Sequence, residues 1–411
     1  MNEPANPIFV GLDIGTSTVR CVVGMRDSRD QSALSVIGHG LAPNQGLRKG
    51  VVVHIDDTAE AIVQAVTEAE RISGVQIHNA TVNINGSHVT GLNSRGVIAI
   101  SSPDHGITAE DRDRVEEAAT IVKLPPNREI VQAFAKSYRL DGQDNLKDPV
   151  GMHGVRLEVD CHMVTVATPN LRNLNMALDK AQINPRHHTV SSLAAAEAVL
   201  TRQQKEAGTC VLDMGAGTTN LAIIEDGEIQ HVAVIPMGGT HITNDLAIGL
   251  KTDLDIAEAV KLKHAKLGEE SDKPLHITVD GKYHTFSGAE VNMIVEARVE
   301  ELLEYVEKEL VKIHRSRKLP GGVVLIGGTA GLPGLAEYVK DKLQLPARIG
   351  KVQGLAGLVD TVDTPAFATA AGLMMLDVLL GSFSDQAVPA QAFGSNIGTT
   401  LSSLLSRLKS K

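Results

Sequence analysis

One short pattern occurs twice in this chain, about 200 residues apart. The stretch VGLDIGTSTVRCVVG covers Val10–Gly24, and VLDMGAGTTNLAII covers Val211–Ile224. In each copy an apolar run leads to an aspartate, Asp13 or Asp213, then to a turn rich in glycine and hydroxyl residues, and then to a second apolar run. Such a spacing is too long for a solenoid repeat and indicates a duplicated domain. A chain of 411 residues has room for two of them.

The turn chemistry predicts an anion site. Glycines let successive backbone N–H groups point into one concavity, which binds phosphate. We expect Asp13 and Asp213 to face each other across a cleft and to hold Mg²⁺, largely through water. The predicted phosphate contacts are Gly15, Thr16, Ser17, Thr18, Gly215, Ala216, Gly217, Thr218, Thr219 and Asn220. The alternative is two unrelated β-turns, because Asp and Gly are common turn residues.

A third glycine-rich stretch, GGVVLIGGTAGLPGLAEYVKDKL, covers Gly321–Leu343. It predicts a buried strand at Val323–Ile326, a turn at Gly327, Gly328 and Thr329, and a helix from Leu332 onward. A Gly-Gly turn admits a flat ligand close to the backbone. Taken alone, the stretch favours an ordinary strand–helix loop, and its glycine spacing does not fit a dinucleotide fingerprint. Periodicity predicts further helices at Asp56–Ile72, Ala109–Val122, Asp255–Ala265 and Glu290–Arg315.

Composition excludes several classes. The formal net charge of -10 argues against general nucleic-acid binding. Three cysteines without CxxC spacing fit a reducing compartment with buried thiols. The first residues, MNEPANPIFV, show no secretory signal, and no run of about 18 apolar residues predicts a membrane span.

The three glycine-rich stretches resemble the two phosphate motifs and the adenosine motif of the actin–sugar kinase–Hsp70 ATPase superfamily. Ser191–Leu200 and Thr364–Leu376 resemble its two connecting helices. Within the superfamily, residues 8–380 and the C-terminal tail resemble the FtsA family of bacterial cell-division proteins. The marks of that family are FVGLDIGTSTVRCVVG and the stretches Gly46–Gly74, Val82–Ile100 and Val234–Leu250.

The resemblance implies an α/β, actin-like (ribonuclease H-like) fold of duplicated domains around a nucleotide cleft, with ATP and Mg²⁺ as cofactors. It implies residues 8–81, 166–205 and 362–380 as subdomain 1A, and 82–165 as an inserted subdomain 1C. Residues 206–235 and 305–361 would form subdomain 2A, and 236–304 subdomain 2B. It adds Gly238, Gly239, Glu258 and Lys261 to the nucleotide contacts, although Glu258 and Lys261 are also typical of a solvated helix face.

The resemblance also implies partners and a location. The protein would polymerise at the cytoplasmic face of the membrane, at the division site, and tether the FtsZ ring there. The C-terminal peptide of FtsZ would dock on subdomain 2B around Asn244–Lys263, and later division proteins on subdomain 1C.

The C-terminal tail predicts a membrane anchor. Residues 381–395 are small and polar and predict a flexible linker. Residues 396–411, NIGTTLSSLLSRLKSK, predict a basic amphipathic helix for an anionic lipid surface. The residues expected at the membrane are Ile397, Leu401, Leu404, Leu405, Arg407, Leu408, Lys409 and Lys411. The alternative is a helix docked on the protein's own body.

No catalytic residue is assigned. Relatives in the superfamily place a Glu or Gln in or near the first connecting helix to position the attacking water, whereas this chain has Ser191 or Ser192 there. We therefore expect tight ATP binding with at most slow hydrolysis, the nucleotide serving as a switch. Alternatives are a pilus-assembly actin homologue, a sugar or small-acid kinase, and an Hsp70-like chaperone. The kinase would need a carboxylate base, and the chaperone would need a further domain after residue 380.

Overall fold

The computed structural model describes residues 7–26, 34–101, 104, 106–268 and 273–384, with side chains up to residue 380. Its strands, in chain order, are β1 Ile8–Ile14, β2 Thr18–Arg26, β3 Leu34–Pro43, β4 Leu47–Arg48, β5 Val51–Val52, β6 Asn79–Ile84, β7 Thr90–Ala99, β8 Arg128–Leu140, β9 Gln143–Leu146, β10 Arg156–Ala167, β11 Asn184–Val190, β12 Thr209–Met214, β13 Thr219–Glu225, β14 Glu228–Ile235, β15 Pro274–Val279, β16 Lys282–Ser287, β17 Gly322–Ile326, β18 Ala347–Ile349 and β19 Leu355–Gly357.

The α-helices of the same residues are α1 Ile55–Ser73, α2 Ala109–Thr120, α3 Thr168–Lys180, α4 Ser191–Val199, α5 Arg202–Ala207, α6 Gly239–Gly249, α7 Leu254–His264, α8 Gly288–Lys312, α9 Leu335–Leu343, α10 Val359–Val362 and α11 Ala368–Ser384. Two short 3₁₀ helices cover Gly328–Gly331 and Pro365–Phe367. None of the helices in this described part is both long and apolar enough to cross a membrane.

Two large sheets share one strand order. The first runs β11-β6-β1-β2-β3-β19, and the second runs β14-β13-β12-β17-β18. In each, a three-stranded antiparallel meander (β1–β3 or β12–β14) continues into two parallel strands. The strands β1, β2, β3, β6 and β11 therefore correspond to β12, β13, β14, β17 and β18. The duplication predicted from the aspartate hairpins is confirmed at the level of whole sheets.

Two helices cross between the sheets, α4 from the first half and α11 from the second. They are built almost wholly from small and aliphatic residues, which lets their backbones approach closely. At Gly372 an added Cβ would lie 1.8 Å from the carbonyl oxygen of Ala194, so only glycine fits at this crossing. Ala195, Ala370 and Ala371 are fully buried beside it.

Each half carries its extra segment at a different place. In the first half, β7–β10 and α2 are inserted between β6 and α3 and form their own sheet, in the order β7-β10-β8-β9. Helix α2 begins with a capping box between Thr108 and Asp111 and packs Val115 and Ala119 onto that sheet. In the second half, α6, α7 and the hairpin β15–β16 lie between β14 and α8. The two subdomains therefore project from different connections of the same repeated fold.

Several predicted boundaries are wrong, among them the helix expected at Glu290–Arg315, which spans Gly288–Lys312. The helix expected from Leu332 begins at Leu335, because Gly334 before it adopts φ +80° and a 3₁₀ turn occupies Gly328–Gly331. The connecting helix expected from Thr364 begins at Ala368 after a 3₁₀ turn at Pro365–Phe367. The linker expected from residue 381 starts too early, because the backbone of α11 stays helical to Ser384. Residues 385–395 and the tail helix at 396–411 lie outside the described residues.

Candidate functional site

A cavity of about 340 Å³ lies between the two aspartate hairpins, where the two halves meet. One end is polar and is lined by Asp13, Asp213 and the turns that follow them. The other end is lined by the Gly327–Thr329 turn and by apolar side chains. The cavity therefore offers a charged compartment joined to an apolar slot.

The two hairpins have matching backbone geometry. The N–H of Gly15 donates to the carbonyl of Thr18 at 3.0 Å, and the N–H of Gly215 donates to that of Thr218 at 2.9 Å. In the strand register Asp13 lies opposite Arg20, and Asp213 lies opposite Asn220. The repeat therefore extends to the position across the strand from each aspartate, where one copy carries a cation and the other an amide.

The two aspartates are buried, each with only 8% of its surface exposed. Burial raises the pKa of Asp13 to about 7; the Arg20 guanidinium, 3.9 Å away, lowers this pKa, and the charge of Asp213 raises it. Burial likewise raises the pKa of Asp213 to about 6, while a hydrogen bond from Thr369, the charge of Arg20 and a hydrogen bond from Asn220 lower it. Two carboxylates that destabilise each other's charge form a place where a divalent cation would be stabilising.

The donor set fits Mg²⁺. No group of three or more His, Cys, Asp or Glu side chains among the described residues is arranged to hold a metal. Mg²⁺ is typically bound by one or two carboxylates, several waters and substrate phosphate oxygens. Asp13 and Asp213 would supply the carboxylates. The cation, when bound, neutralises phosphate charge.

The second hairpin is fixed by residues of the second half. The carbonyl of Gly215 accepts hydrogen bonds from the N–H of Gly239 and from the hydroxyl of Thr329, both at 2.9 Å. The carbonyl of Ala216 accepts from the N–H of Thr240 at 2.8 Å. At Gly238 an added Cβ would lie 2.4 Å from the carbonyl oxygen of Gly215. The start of α6 and the turn after β17 thus hold the hairpin in place.

The apolar end of the cavity is formed by Ile242, Leu262, Leu332 and Pro333, with the backbone of Gly328 and Gly331 between them. Glu258 and Lys261 also line it. The ammonium of Lys261 lies 2.6 Å from the carboxylate of Glu258, 2.8 Å from the hydroxyl of Thr243 and 3.2 Å from the carbonyl of Gly239. Both side chains line the cavity, with Lys261 mostly buried and the Glu258 side chain 42% exposed.

Most of the sequence-predicted residues line this one cavity. They are Asp13, Gly15, Thr16, Ser17, Thr18, Asp213, Gly215, Ala216, Thr218, Asn220, Gly239, Glu258, Lys261, Gly327, Gly328 and Thr329. Gly217, Thr219 and Gly238 do not. Gly217 abuts the side chain of Thr16 in the opposite hairpin, and the hydroxyl of Thr219 donates to the carbonyl of Met237 at 2.9 Å. These residues hold the two turns rather than face the cavity.

Sequence reasoning missed several lining residues, notably Arg20 and Asn85. Arg20 lies seven positions after Asp13, the spacing that a two-stranded hairpin places directly across from it. Asn85 accepts a hydrogen bond from the hydroxyl of Thr218 at 3.2 Å and so joins the two sides of the cleft. The position of Arg20 could have been predicted from the pairing of a two-stranded hairpin, whereas nothing in the local sequence indicates that Asn85 lines the cavity.

Among the described residues, the first connecting helix contributes no carboxylate to the cavity lining. Ser191 and Ser192 open α4 and are both buried outside the cavity lining. Glu197, further along α4, lies 2.6 Å from Lys205 and is not among the lining residues. Most residues expected at the nucleotide therefore line one cavity, and the two serines of the first connecting helix are not among them.

Comparison with known sequences identifies the family. A model described as "Cell division protein FtsA" matches residues 210–372, and one described as "SHS2 domain inserted in FTSA" matches residues 86–165. The cell division protein FtsA of Pseudomonas aeruginosa is 37% identical over 373 residues, covering 90% of this chain and 88% of that protein. The chain belongs to the FtsA family. The FtsA of Bacillus subtilis is 38% identical, covering 90% of this chain and 83% of that protein.

Solved structures show the same fold at low sequence identity. The PilM–PilN type IV pilus biogenesis complex matches with a TM-score of 0.63 at 18% identity, covering 90% of this chain and 98% of that one. MreB5 of Spiroplasma citri bound to ADP matches with a TM-score of 0.56 at 14% identity, covering 93% of this chain and all (100%) of that one. This FtsA-family chain therefore has the actin-like α/β fold predicted from its sequence.

Proposed function

We propose that this chain is an actin-like ATP-binding protein that polymerises at the membrane and tethers the FtsZ ring there during cell division. The observation that carries the nucleotide part is the pair of matched hairpins, which present Asp13 and Asp213 to one cavity from opposite halves. Family membership carries the cell-division part. The pilus and kinase alternatives share the fold, but the matched inserted domain at residues 86–165 favours the division protein.

ATP with Mg²⁺ is the proposed ligand of the cleft. Backbone N–H groups of the two hairpins would bind the phosphates, Asp13 and Asp213 the cation, and the slot at Ile242, Leu332 and Pro333 the adenosine. The Spiroplasma neighbour was solved with ADP and with AMPPNP, which supports a nucleotide in this fold. Without a carboxylate at Ser191 or Ser192, we expect the nucleotide to act mainly as a switch.

The partner surfaces follow the proposed subdomains, with the boundaries given in the sequence analysis. For the FtsZ peptide we propose the surface of residues 236–304. Two aliphatic side chains there, Ile248 and Leu254, are 77% and 56% exposed, which supports a protein contact at the end of α6 and the start of α7. For later division proteins we propose the inserted subdomain at residues 82–165. Self-association into filaments is part of the same proposal and is supported by the MamK double helical filament, which has a TM-score of 0.51.

The membrane part of the proposal rests on the sequence of the tail. Residues 396–411 carry Arg407, Lys409 and Lys411 and no acidic residue, in a chain of net charge -10. Five aliphatic side chains give modest affinity, and a polymer would add avidity.

Liposome co-sedimentation tests this part directly. The full chain, a chain stopped at Ser395, and the variant Leu404→Asp would be compared with ATP and Mg²⁺ on anionic vesicles. Ser402→Asp is the matched control, because it adds the same charge to the polar face of the predicted helix. We expect the full chain and the control to pellet, and the truncation and Leu404→Asp to stay soluble. Equal pelleting of all four, or of none, would contradict the membrane anchor.

A separate binding measurement tests the nucleotide site. Isothermal titration of the full chain with ATP, with and without Mg²⁺, should show tighter binding with the cation, and Asp213→Asn should remove that difference. Absence of nucleotide binding by the unaltered chain would overturn the cleft assignment.

A further inference from the structure

Asp13 is connected by hydrogen bonds to the first residue of α4. The side-chain amide of Asn83, on β6, donates to the Asp13 carboxylate at 2.7 Å and to the hydroxyl oxygen of Ser191 at 3.1 Å. The amide oxygen of Asn83 accepts from the backbone N–H of Ile14 at 2.7 Å. Asn83 and Ser191 are each only 1% exposed. The carboxylate and the start of the crossing helix therefore share one buried amide.

Asp213 is connected to the other crossing helix. The hydroxyl of Thr369, the second residue of α11, donates to the Asp213 carboxylate at 3.3 Å. Thr369 is also buried. Each of the two aspartates thus contacts, through one or two hydrogen bonds, the first turn of a different crossing helix.

Comparison of the two halves shows that different residues connect each aspartate to its crossing helix. The register of β1 with β6 pairs Leu12 with Val82, so Asp13 and Asn83 each follow a paired residue, and the register of β12 with β17 pairs Asp213 with Ile326. Ile326 has no polar side chain, and Thr369 reaches Asp213 directly from α11 instead. A link to the crossing helix is therefore present in both halves although the residues that make it are not equivalent.

We propose that Asn83 and Thr369 are positioning residues that couple occupation of the Asp13–Asp213 pair by a nucleotide-bound divalent cation to the first turns of α4 and α11. The inference rests on the proposed function of the cleft. A cation that engages both carboxylates fixes their orientation, and the hydrogen bonds carry that constraint to Ser191 and Thr369. The helices α4 and α11 contact each other at Gly372 and Ala194. A constraint on their first turns would therefore affect the packing of the two crossing helices, and with it the relative position of the two halves.

Amide hydrogen exchange of the full chain, with and without Mg²⁺ and a slowly hydrolysed ATP analogue, measures the coupling. We expect the ligand to slow exchange in the first turns of both helices. Thr369→Val should lose the protection of α11 and keep that of α4. Asn83→Leu and Ser191→Ala should lose the protection of α4 and keep that of α11. Ser191→Ala removes only the last acceptor of the link, which leaves the bond between Asn83 and Asp13 intact and avoids a change beside the carboxylate.

Thr81→Val is the matched control. The hydroxyl of Thr81 is buried on β6 and donates to Asp377 of α11 at 2.8 Å, so its loss removes a threonine–aspartate hydrogen bond outside the cavity lining. It should keep the ligand-induced protection of both first turns. A Mg²⁺ titration at fixed nucleotide should show a midpoint raised about 10-fold in Asn83→Leu and Thr369→Val, with nucleotide binding in EDTA little changed.

Two results would overturn the coupling: full protection of both helices in all three link variants, or the same loss in Thr81→Val. Failure of the unaltered chain to bind nucleotide would instead overturn the proposed function, so the two failures are distinguishable.

Discussion

At the scale of single residues, the two aspartate hairpins differ at the position that lies opposite each aspartate. Arg20 and Asn220 occupy corresponding places opposite the aspartates. Arg20 lines the cavity, lies 3.9 Å from Asp13 and stacks over the ring of Phe367 at 5.6 Å. A guanidinium held in this position can bind a negatively charged group that enters the cleft.

Arg20→Met should weaken ATP binding by about 10- to 100-fold, because a hydrogen bond to a charged group contributes about 1.5–3 kcal/mol. Arg20→Lys should recover part of that loss because it keeps the charge. Arg26→Met is the control, since Arg26 lies at the end of the same strand and is not among the cavity residues. Calorimetric titration gives the affinities, and equal affinities for Arg20→Met and the unaltered chain would exclude this role.

The buried aspartates predict a pH dependence of the metal-free protein. The pKa of Asp13 is raised to about 7 from 3.8, so the folded state holds this proton more tightly than the unfolded chain does. The contribution of Asp13 to stability is therefore present at low pH and is lost as pH rises toward 7. In EDTA, the Tm of the unaltered chain should fall between pH 5 and pH 7 more than that of Asp13→Asn, by roughly 2–4 °C.

Mg²⁺ should oppose that fall, because a cation favours the ionised carboxylate. Differential scanning calorimetry across the pH range, with EDTA and with Mg²⁺, gives both comparisons. Parallel Tm curves for the two proteins in EDTA would show that Asp13 ionises normally in the folded state.

At the scale of elements, the crossing of α4 and α11 requires a residue without a side chain at position 372. Glycine in a helix is ordinarily unfavourable by about 1 kcal/mol relative to alanine. At Gly372 that preference is reversed by the carbonyl of Ala194, which leaves no room for a Cβ. Tight packing here therefore outweighs helix propensity.

Gly372→Ala should destabilise the chain by about 1–3 kcal/mol, as overpacking of a close crossing does. Gly106→Ala is the control, because the nearest atoms to a Cβ there lie at 3.5 Å, an ordinary contact distance. It should change stability by less than about 0.5 kcal/mol. Urea unfolding measures both, and a neutral or stabilising Gly372→Ala would mean that the helices separate readily at this point.

At the scale of the whole molecule, the inserted subdomain is packed against both halves. Val131, Phe134 and Val164 share a core with Val232 and Ala222 of the second sheet. His162 of β10 accepts a hydrogen bond from the N–H of Val232 at 3.1 Å through its Nε2, while its Nδ1 contacts Asn93 at 2.8 Å. The subdomain therefore bridges the two halves.

His162 predicts a loss of this bridge in acid. Burial, with the charges of His231 and Lys136, lowers the pKa of His162 to about 3 from 6.5. The unfolded chain then binds the proton first, so the contribution of His162 to stability is present above pH 6.5 and is lost as pH falls toward 3. His162→Gln, which keeps an acceptor but does not titrate, should lose less stability than the unaltered chain between pH 6.5 and pH 4. Thermal unfolding checks this, with the exposed His78→Gln as control, and identical profiles for all three would contradict it.

Local chemistry made the hairpins, α1 and the cap of α2 predictable. The hairpin turns combine aspartate, glycine and hydroxyl residues within a few positions, and the apolar period of α1 is set by its own residues. The boundaries that were wrong depend on neighbours. The small and polar residues from 381 onward predict a linker, yet Leu373, Leu376 and Leu380 bury one face of α11 and the helix continues to Ser384. Asn85 and Ile242 line the cavity only because distant strands and helices meet there.

The shared strand order has a consequence for the symmetry of the site. The two meanders have the same strand order and hairpin register, so Asp13 corresponds to Asp213 and Arg20 corresponds to Asn220. The two ends of a nucleotide are different. A cleft with two identical ends would accept such a ligand in either direction. Arg20 at one copy of that position, Asn220 at the other, and an apolar slot lined by the second half alone make the two ends of this cleft different, so the proposed nucleotide would enter in one direction.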